Sequence, residues 1–240
     1  MRDLFYLIAL KAVLIFCMAP SPLAAQNNAL PPLTDEIAAQ FTAIGRFGQS
    51  GFRERQGCTA TLIAPDLVVT AAHCASPNGT SERVFVAGWS RGDYIDASGT
   101  QNEIRHPAYA TNGPHDPRND IALIVLRNPI ENVPPIPLSN KDEGEITGTQ
   151  VALIGYHRQT PHLLSGDFTC PITDFSVGLF QVGCPVINGN SGSPVLNQTE
   201  DGTWQIVGVV SSQFGATAIV VDVPDWLRNE VANHLQLSLE

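Results

Sequence analysis

Short apolar runs, each closed within about eight residues by Gly, Pro, Asn or Asp, constrain this chain more than any other feature. They include Thr59–Ile63, Leu67–Thr70, Val84–Trp89, Ile121–Leu126, Val151–Tyr156, Gln205–Ser211 and Thr217–Val223. Their Val, Ile and Thr content favours extended backbone, and their length is that of strands rather than helices. Regular spacing of such runs predicts an all-β chain, a barrel or a sandwich. One helix is expected near the C-terminus. Pro224-Asp225 opens it, and Leu227, Val231 and Leu235 recur at four-residue spacing on one face. The Pro-rich stretch 132–138 (NVPPIPL) reads as a connection between two β-halves, 41–136 and 137–240.

The N-terminus differs in character. Leu4 to Met18 is almost wholly apolar behind Arg2, and small residues at Ala24 and Ala25 precede polar Gln26. That pattern reads as a secretory signal peptide over residues 1–25, with an uncleaved membrane anchor as the alternative. Residues 26–40 then form an N-terminal arm or a short pro-segment. Signal removal takes Cys17 with it and leaves Cys58, Cys74, Cys170 and Cys184. An even count in an exported chain suggests two disulfides. Three pairings are open; neighbour pairing, Cys58 with Cys74 and Cys170 with Cys184, closes two short loops. A formal charge of −10 without any Lys/Arg cluster argues against nucleic-acid binding, which needs basic surface against phosphates.

Three segments carry chemistry: Thr70-Ala71-Ala72-His73-Cys74, Asn119-Asp120-Ile121-Ala122-Leu123, and Gly189-Asn190-Ser191-Gly192-Ser193-Pro194. Together, in this order, they resemble the active-site segments of the chymotrypsin-like (trypsin-like) serine peptidases. The form Gly-Asn-Ser-Gly-Ser-Pro is most similar to bacterial secreted members, including the glutamyl-endopeptidase-like group. Cys58 with the strand after it resembles the family's segment before the catalytic His, and Cys58–Cys74 matches the disulfide spanning that loop. His106-Pro107-Ala108-Tyr109 resembles the segment upstream of the catalytic Asp. The resemblance implies two packed antiparallel six-stranded β-barrels closed by a C-terminal helix.

It also implies a serine endopeptidase. A serine hydroxyl needs a base within hydrogen-bond reach to attack a carbonyl. His73 would take the Ser191 proton and return it to the leaving amine, a task that suits imidazole. Asp120 would orient His73 and stabilise the imidazolium. Backbone N–H groups of Gly189 and Ser191 would form the oxyanion hole. Pro185, Val186, Ile187 and Asn188 would wall the primary pocket, and Ser211, Ser212 and Gln213 would lie along the substrate backbone, with Ser211 supporting Asp120. No acid stands in these segments, and Val210 replaces the pocket His of glutamyl-specific relatives, so a small or apolar P1 residue is expected unless Asp222 turns inwards.

The nucleophile-elbow pattern of lipases does not fit, because Ser193 stands where Gly is required and Ser191 comes last in the order. Asn190 replaces the Asp that many members pair with a newly cut N-terminus. No N-terminal ion-pair switch is therefore expected, and a form trimmed to about Phe41 should match one beginning at Gln26. Asp116 is an alternative acid, and His106, His115, His157, His162 and His234 read as surface or loop residues. Neither metal nor organic cofactor is implied. The partners would be protein or peptide substrates, with no nucleic acid, no membrane after signal cleavage and a monomeric state. The alternatives are a processing peptidase of narrow range and a non-catalytic binding or adhesion protein that keeps the fold.

Overall fold

A computed structural model describes residues 29–49, 57–77, 83–109, 116–140 and 150–237. The expected signal peptide, Cys17 and His115 lie outside them. Among the described residues no helix is long and apolar enough to cross a membrane.

Twelve strands form two closed antiparallel barrels. The first contains β1 (Ile44–Gly48), β2 (Cys58–Ala64), β3 (Leu67–Thr70), β4 (Val84–Ala87), β5 (Asp96–Arg105) and β6 (Ala122–Leu126). Its closed order is β1-β2-β3-β6-β5-β4. The second contains β7 (Gln150–Gly155), β8 (Ser165–Ser176), β9 (Leu179–Val182), β10 (Pro194–Gln198), β11 (Trp204–Phe214) and β12 (Thr217–Asp222). Its order, β7-β8-β9-β12-β11-β10, repeats the first barrel's topology without any repeat in the sequence. The expected architecture of two six-stranded barrels with one C-terminal helix is therefore present.

Each barrel is filled by the apolar side chains that marked its strands. Leu62, Leu67, Val69, Phe85 and Leu123 are fully buried in the first, and Leu153, Val195, Phe180 and Val220 in the second. Burying one such side chain contributes about 1.5–3 kcal/mol, and closure removes the sheet edges that would otherwise invite pairing. A cluster of Phe41, Phe168 and Trp204, with ring centroids 5.7–5.9 Å apart, joins the chain ahead of β1 to β8 and β11. The connection over residues 132–139 also ties the halves together. Ile136 N–H donates to Leu62 O at 3.0 Å, and Ser139 N–H to Ile206 O at 2.8 Å.

Among the described residues two α-helices flank the barrels. A single turn, α1 (Asp35–Ala38), is capped by Thr34 Oγ1. The C-terminal helix, α2 (Asp225–Leu237), starts at the expected residue. It buries Leu227 fully and Val231 in part, while Leu235 is exposed. His234 fixes its far end to Asp66 at 2.7 Å.

The segment before α1 is part of the second barrel's packing. Ala29 and Leu30 are buried, and Leu30 joins the core cluster of Val151, Cys170 and Val182. Leu33 N–H donates to Leu164 O and Gly166 N–H to Pro31 O, both at 2.9 Å. The expected equal activity of chains beginning at Gln26 and at about Phe41 takes no account of this burial.

Candidate active site

His73 sits where β3 runs out. After Thr70 the chain passes through Ala71 into a 3-10 turn over Ala72–Cys74. Both alanines are wholly buried, so larger side chains would not fit there. The turn is fixed from two directions. A disulfide joins Cys74 to Cys58 at the start of β2. From β5, the buried Glu103 carboxylate accepts Ser76 N–H, and Arg105 Nη2 donates to Ala75 O. The His73 side chain remains about a third exposed.

Asp120 ends a second 3-10 turn, Pro117–Asn119, and is 3% exposed. Its carboxylate receives three donors. His73 Nδ1 lies 2.8 Å from Oδ2, His73 N–H 2.9 Å from Oδ1, and Ser211 Oγ 2.6 Å from Oδ2. Burial alone would raise its pKa. The hydrogen bonds and charge of His73, with the Ser211 hydroxyl, outweigh burial and hold it below the ordinary carboxylate range. Asp116 is not a competitor, because it caps the turn and pairs with Arg118 at 2.6 Å on the surface.

Ser191 lies on the turn that leads into β10. The turn is bound on all sides. Thr59 N–H donates to Ser191 O at 2.8 Å, Thr59 Oγ1 to Gly189 O at 2.9 Å, and Gly192 N–H to Val210 O at 2.7 Å. Gly192 has φ +80°, and a Cβ there would meet Thr59 O at 2.1 Å, so only glycine serves. Asn190 is 1% exposed and locks the turn from inside. Its Oδ1 accepts Ile187 N–H at 3.0 Å, and its Nδ2 donates to Tyr156 O at 3.2 Å. The Asn190 N–H turns back to Ile187 O at 2.9 Å. Among the described residues, neither neighbouring amide, of Gly189 or Ser191, donates to a backbone carbonyl.

His73 and Ser191 open onto one cleft of about 580 Å³ between the barrels. Val186, Ile187, Asn188, Gly189, Ser211, Ser212 and Gln213 line it, together with Val210. Pro185, expected in the same wall, does not. Among the described residues no Asp or Glu lines the cleft, and Arg83 is its one permanent cation. Asp222 lies outside the lining and accepts Val223 N–H at 2.8 Å. Cys170 and Cys184 are also joined, closing the β8–β9 hairpin. The sulfurs near His73 and near Asp167 are thus disulfide sulfurs, not thiolate ligands for a metal.

Two residues of the site's support had no signal in the sequence. Thr59 reads as an ordinary strand residue, yet it holds Ser191, Gly189 and, through Tyr156 N–H at 2.9 Å, the end of β7. His157, expected as a surface or loop residue, does lie in a loop but is only 3% exposed. Its Nε2–H donates to Leu30 O at 3.0 Å, and burial lowers its pKa. The reason is the N-terminal segment, which covers a ring that would otherwise face solvent. His106, His162 and His234 do lie at least partly exposed.

Comparison with known proteins agrees with this geometry. The trypsin-like peptidase domain matches residues 58–209, more than half of the chain. Human chymotrypsin-like elastase family member 3A is 28% identical over 83% of this chain and 84% of its own length. Bovine proproteinase E is 28% identical over 83% of this chain and 90% of its own length. Lectizyme of Glossina austeni is 27% identical over 75% of this chain and 79% of its own. Two six-stranded barrels, a His–Asp pair from the first facing a serine turn of the second, and this match together identify the chain as a serine-type endopeptidase of the trypsin-like peptidase family.

Proposed function

We propose that the protein is an exported endopeptidase that cleaves peptide bonds through an acyl-enzyme on Ser191. The observation that carries this reading is the buried Asp120 carboxylate bonded to Nδ1 of His73, at 2.8 Å, in a residue that lines the same cleft as Ser191 and whose other ring nitrogen, Nε2, is not taken by that bond. Ser191 Oγ attacks the scissile carbonyl carbon as its proton passes to His73 Nε2. The carbonyl oxygen becomes an oxyanion, received by the N–H groups of Gly189 and Ser191. His73 gives the proton to the leaving amine as the C–N bond breaks. Water then attacks the ester with His73 again as base, releasing the carboxylic acid and restoring Ser191. Asp120 remains ionised throughout, in keeping with the direction of its pKa.

The preferred P1 residue is small or apolar. Val186, Ile187 and Val210 in the cleft wall support this, as does the lack of an acid among the described lining residues, since a buried Lys or Arg side chain would lack a counter-charge. The Gly189–Pro194 motif supports grouping the chain with bacterial secreted members, including the glutamyl-endopeptidase-like group, while Val210 favours a different P1 choice. The two disulfides fit an oxidising destination, and the apolar N-terminus fits export of a monomer. Peptide substrates differing only at P1 test the reading. Ala, Val or Leu should exceed Lys, Arg, Asp and Glu in kcat/KM by at least tenfold, with no turnover by Ser191→Ala. Preference for a charged P1 would refute the pocket assignment.

A further inference from the structure

We infer that residues 29–33, ahead of α1, are a built-in brace of the Ser191 turn, and that His157 is the positioning residue through which they act; this rests on the serine-endopeptidase reading above. Three sets of contacts form the path. The segment is seated on the second barrel by the bonds of Pro31 and Leu33 to residues 164–166 and by the buried Leu30 side chain. Leu30 O then accepts the His157 Nε2–H at 3.0 Å, with Thr160 Oγ1 3.2 Å from the same nitrogen.

Backbone 156–158 in turn forms the back of the catalytic turn. Arg158 N–H donates to Asn188 O at 2.9 Å, and Tyr156 O accepts Asn190 Nδ2 at 3.2 Å. Gly189 packs so closely that a Cβ would lie 2.7 Å from His157 Cα. A shift of the His157 backbone therefore moves Gly189, which carries one of the two oxyanion-binding amides, and Asn190, which lies between them. None of the residues 29–33 lines the catalytic cleft. The segment lies behind the site rather than in front of it, which is the position of an activating element and not of an inhibitory pro-segment. It reverses the expectation that trimming to Phe41 is harmless. The neutral Asn190 carboxamide fixes the turn without an N-terminal amine, so the brace depends on an internal backbone carbonyl and not on where the chain is cut upstream.

The test compares the chain beginning at Gln26 with one beginning at Thr34, and with His157→Ala and His157→Gln in the longer form. Trimming should lower kcat at least tenfold with KM changed less than about threefold, and a synthetic peptide of residues 26–33 should restore kcat in trans. His157→Ala should reproduce the loss, whereas the Gln side chain, which can still donate to Leu30 O, should recover most of it. Unchanged or increased kcat on trimming would overturn the inference. Should the trimmed chain fail to fold, equal kcat for His157→Ala and the parent would overturn it instead. If the parent itself turns nothing over, the serine-endopeptidase reading fails separately, and amide hydrogen exchange decides the brace. Exchange at residues 187–191 should accelerate in His157→Ala, and identical exchange would refute it.

Discussion

Ser211→Ala isolates the third donor to the Asp120 carboxylate. The Ser211 Oγ–Oδ2 bond is 2.6 Å long and both groups are buried. A hydrogen bond to a charged acceptor contributes about 1.5–3 kcal/mol. For a chain of this size each kcal/mol moves Tm by about 2–4 °C, so the variant should melt about 3–12 °C lower near pH 7. The loss should depend on pH with a definite sign. Asp120's folded pKa is depressed, so its contribution is full above the unfolded carboxyl pKa of about 3.9 and is lost as pH falls through the folded value. Below that point the serine would bond only a neutral acid, worth about 0.5–1.5 kcal/mol. Urea denaturation of both proteins at pH 7, 5 and 3 measures the difference. The gap should narrow with acidity, and kcat should fall less than tenfold because His73 keeps its acceptor. A gap under about 0.5 kcal/mol at pH 7, or one that is constant with pH, would refute the reasoning.

Other changes give equally direct outcomes. Asn190→Asp would set a carboxylate oxygen against Tyr156 O and bury a charge, so kcat should fall at least tenfold and thermal stability should drop; unaltered kinetics would show that the carboxamide does not lock the turn. Gly192→Ala meets Thr59 O at 2.1 Å in a left-handed backbone, and should abolish turnover while costing about 1–3 kcal/mol in denaturant titration. His157 and His106 both have pKa values lowered by burial. The stability they confer is complete above about pH 6.5 and is lost as pH falls through their folded values, so unfolding free energy should decline from pH 7.5 to 5, less steeply in His157→Gln.

The strands that read most plainly in advance were those buried on both faces. β3 and β6 are uniformly buried and rich in Val, Ile and Leu, so a local run announces them. β1 is equally buried but reads IGRFG. Gly45 is there because a Cβ would strike Val86 O and the Phe85 ring, and the Arg46 guanidinium lies over Trp89. Neither cause is visible within five residues of sequence. β5 and β8 are long and half-exposed, and their polar faces hide them.

The three residues proposed as the catalytic groups were legible because each stands in a short motif with few alternatives. Of their supports, Ser211 was legible through the family resemblance and does reach Asp120, across 91 positions. Thr59 and His157 were not, because they are set by distant pairing: Thr59 reaches Gly189 across 130 positions and His157 reaches Leu30 across 127. His157 illustrates the difficulty. An isolated histidine after a strand looks like a surface residue until the N-terminal segment, far away in sequence, covers it.

The most direct measurement is fluorophosphonate labelling of the chain beginning at Gln26, beside Ser191→Ala and His73→Ala, with the adduct mapped by mass spectrometry. Phosphonylation of Ser191 that disappears in both variants is the predicted result, since only an activated hydroxyl attacks the probe. Absence of label on folded, disulfide-bonded protein, or label on Ser191 undiminished by His73→Ala, would contradict the catalytic account.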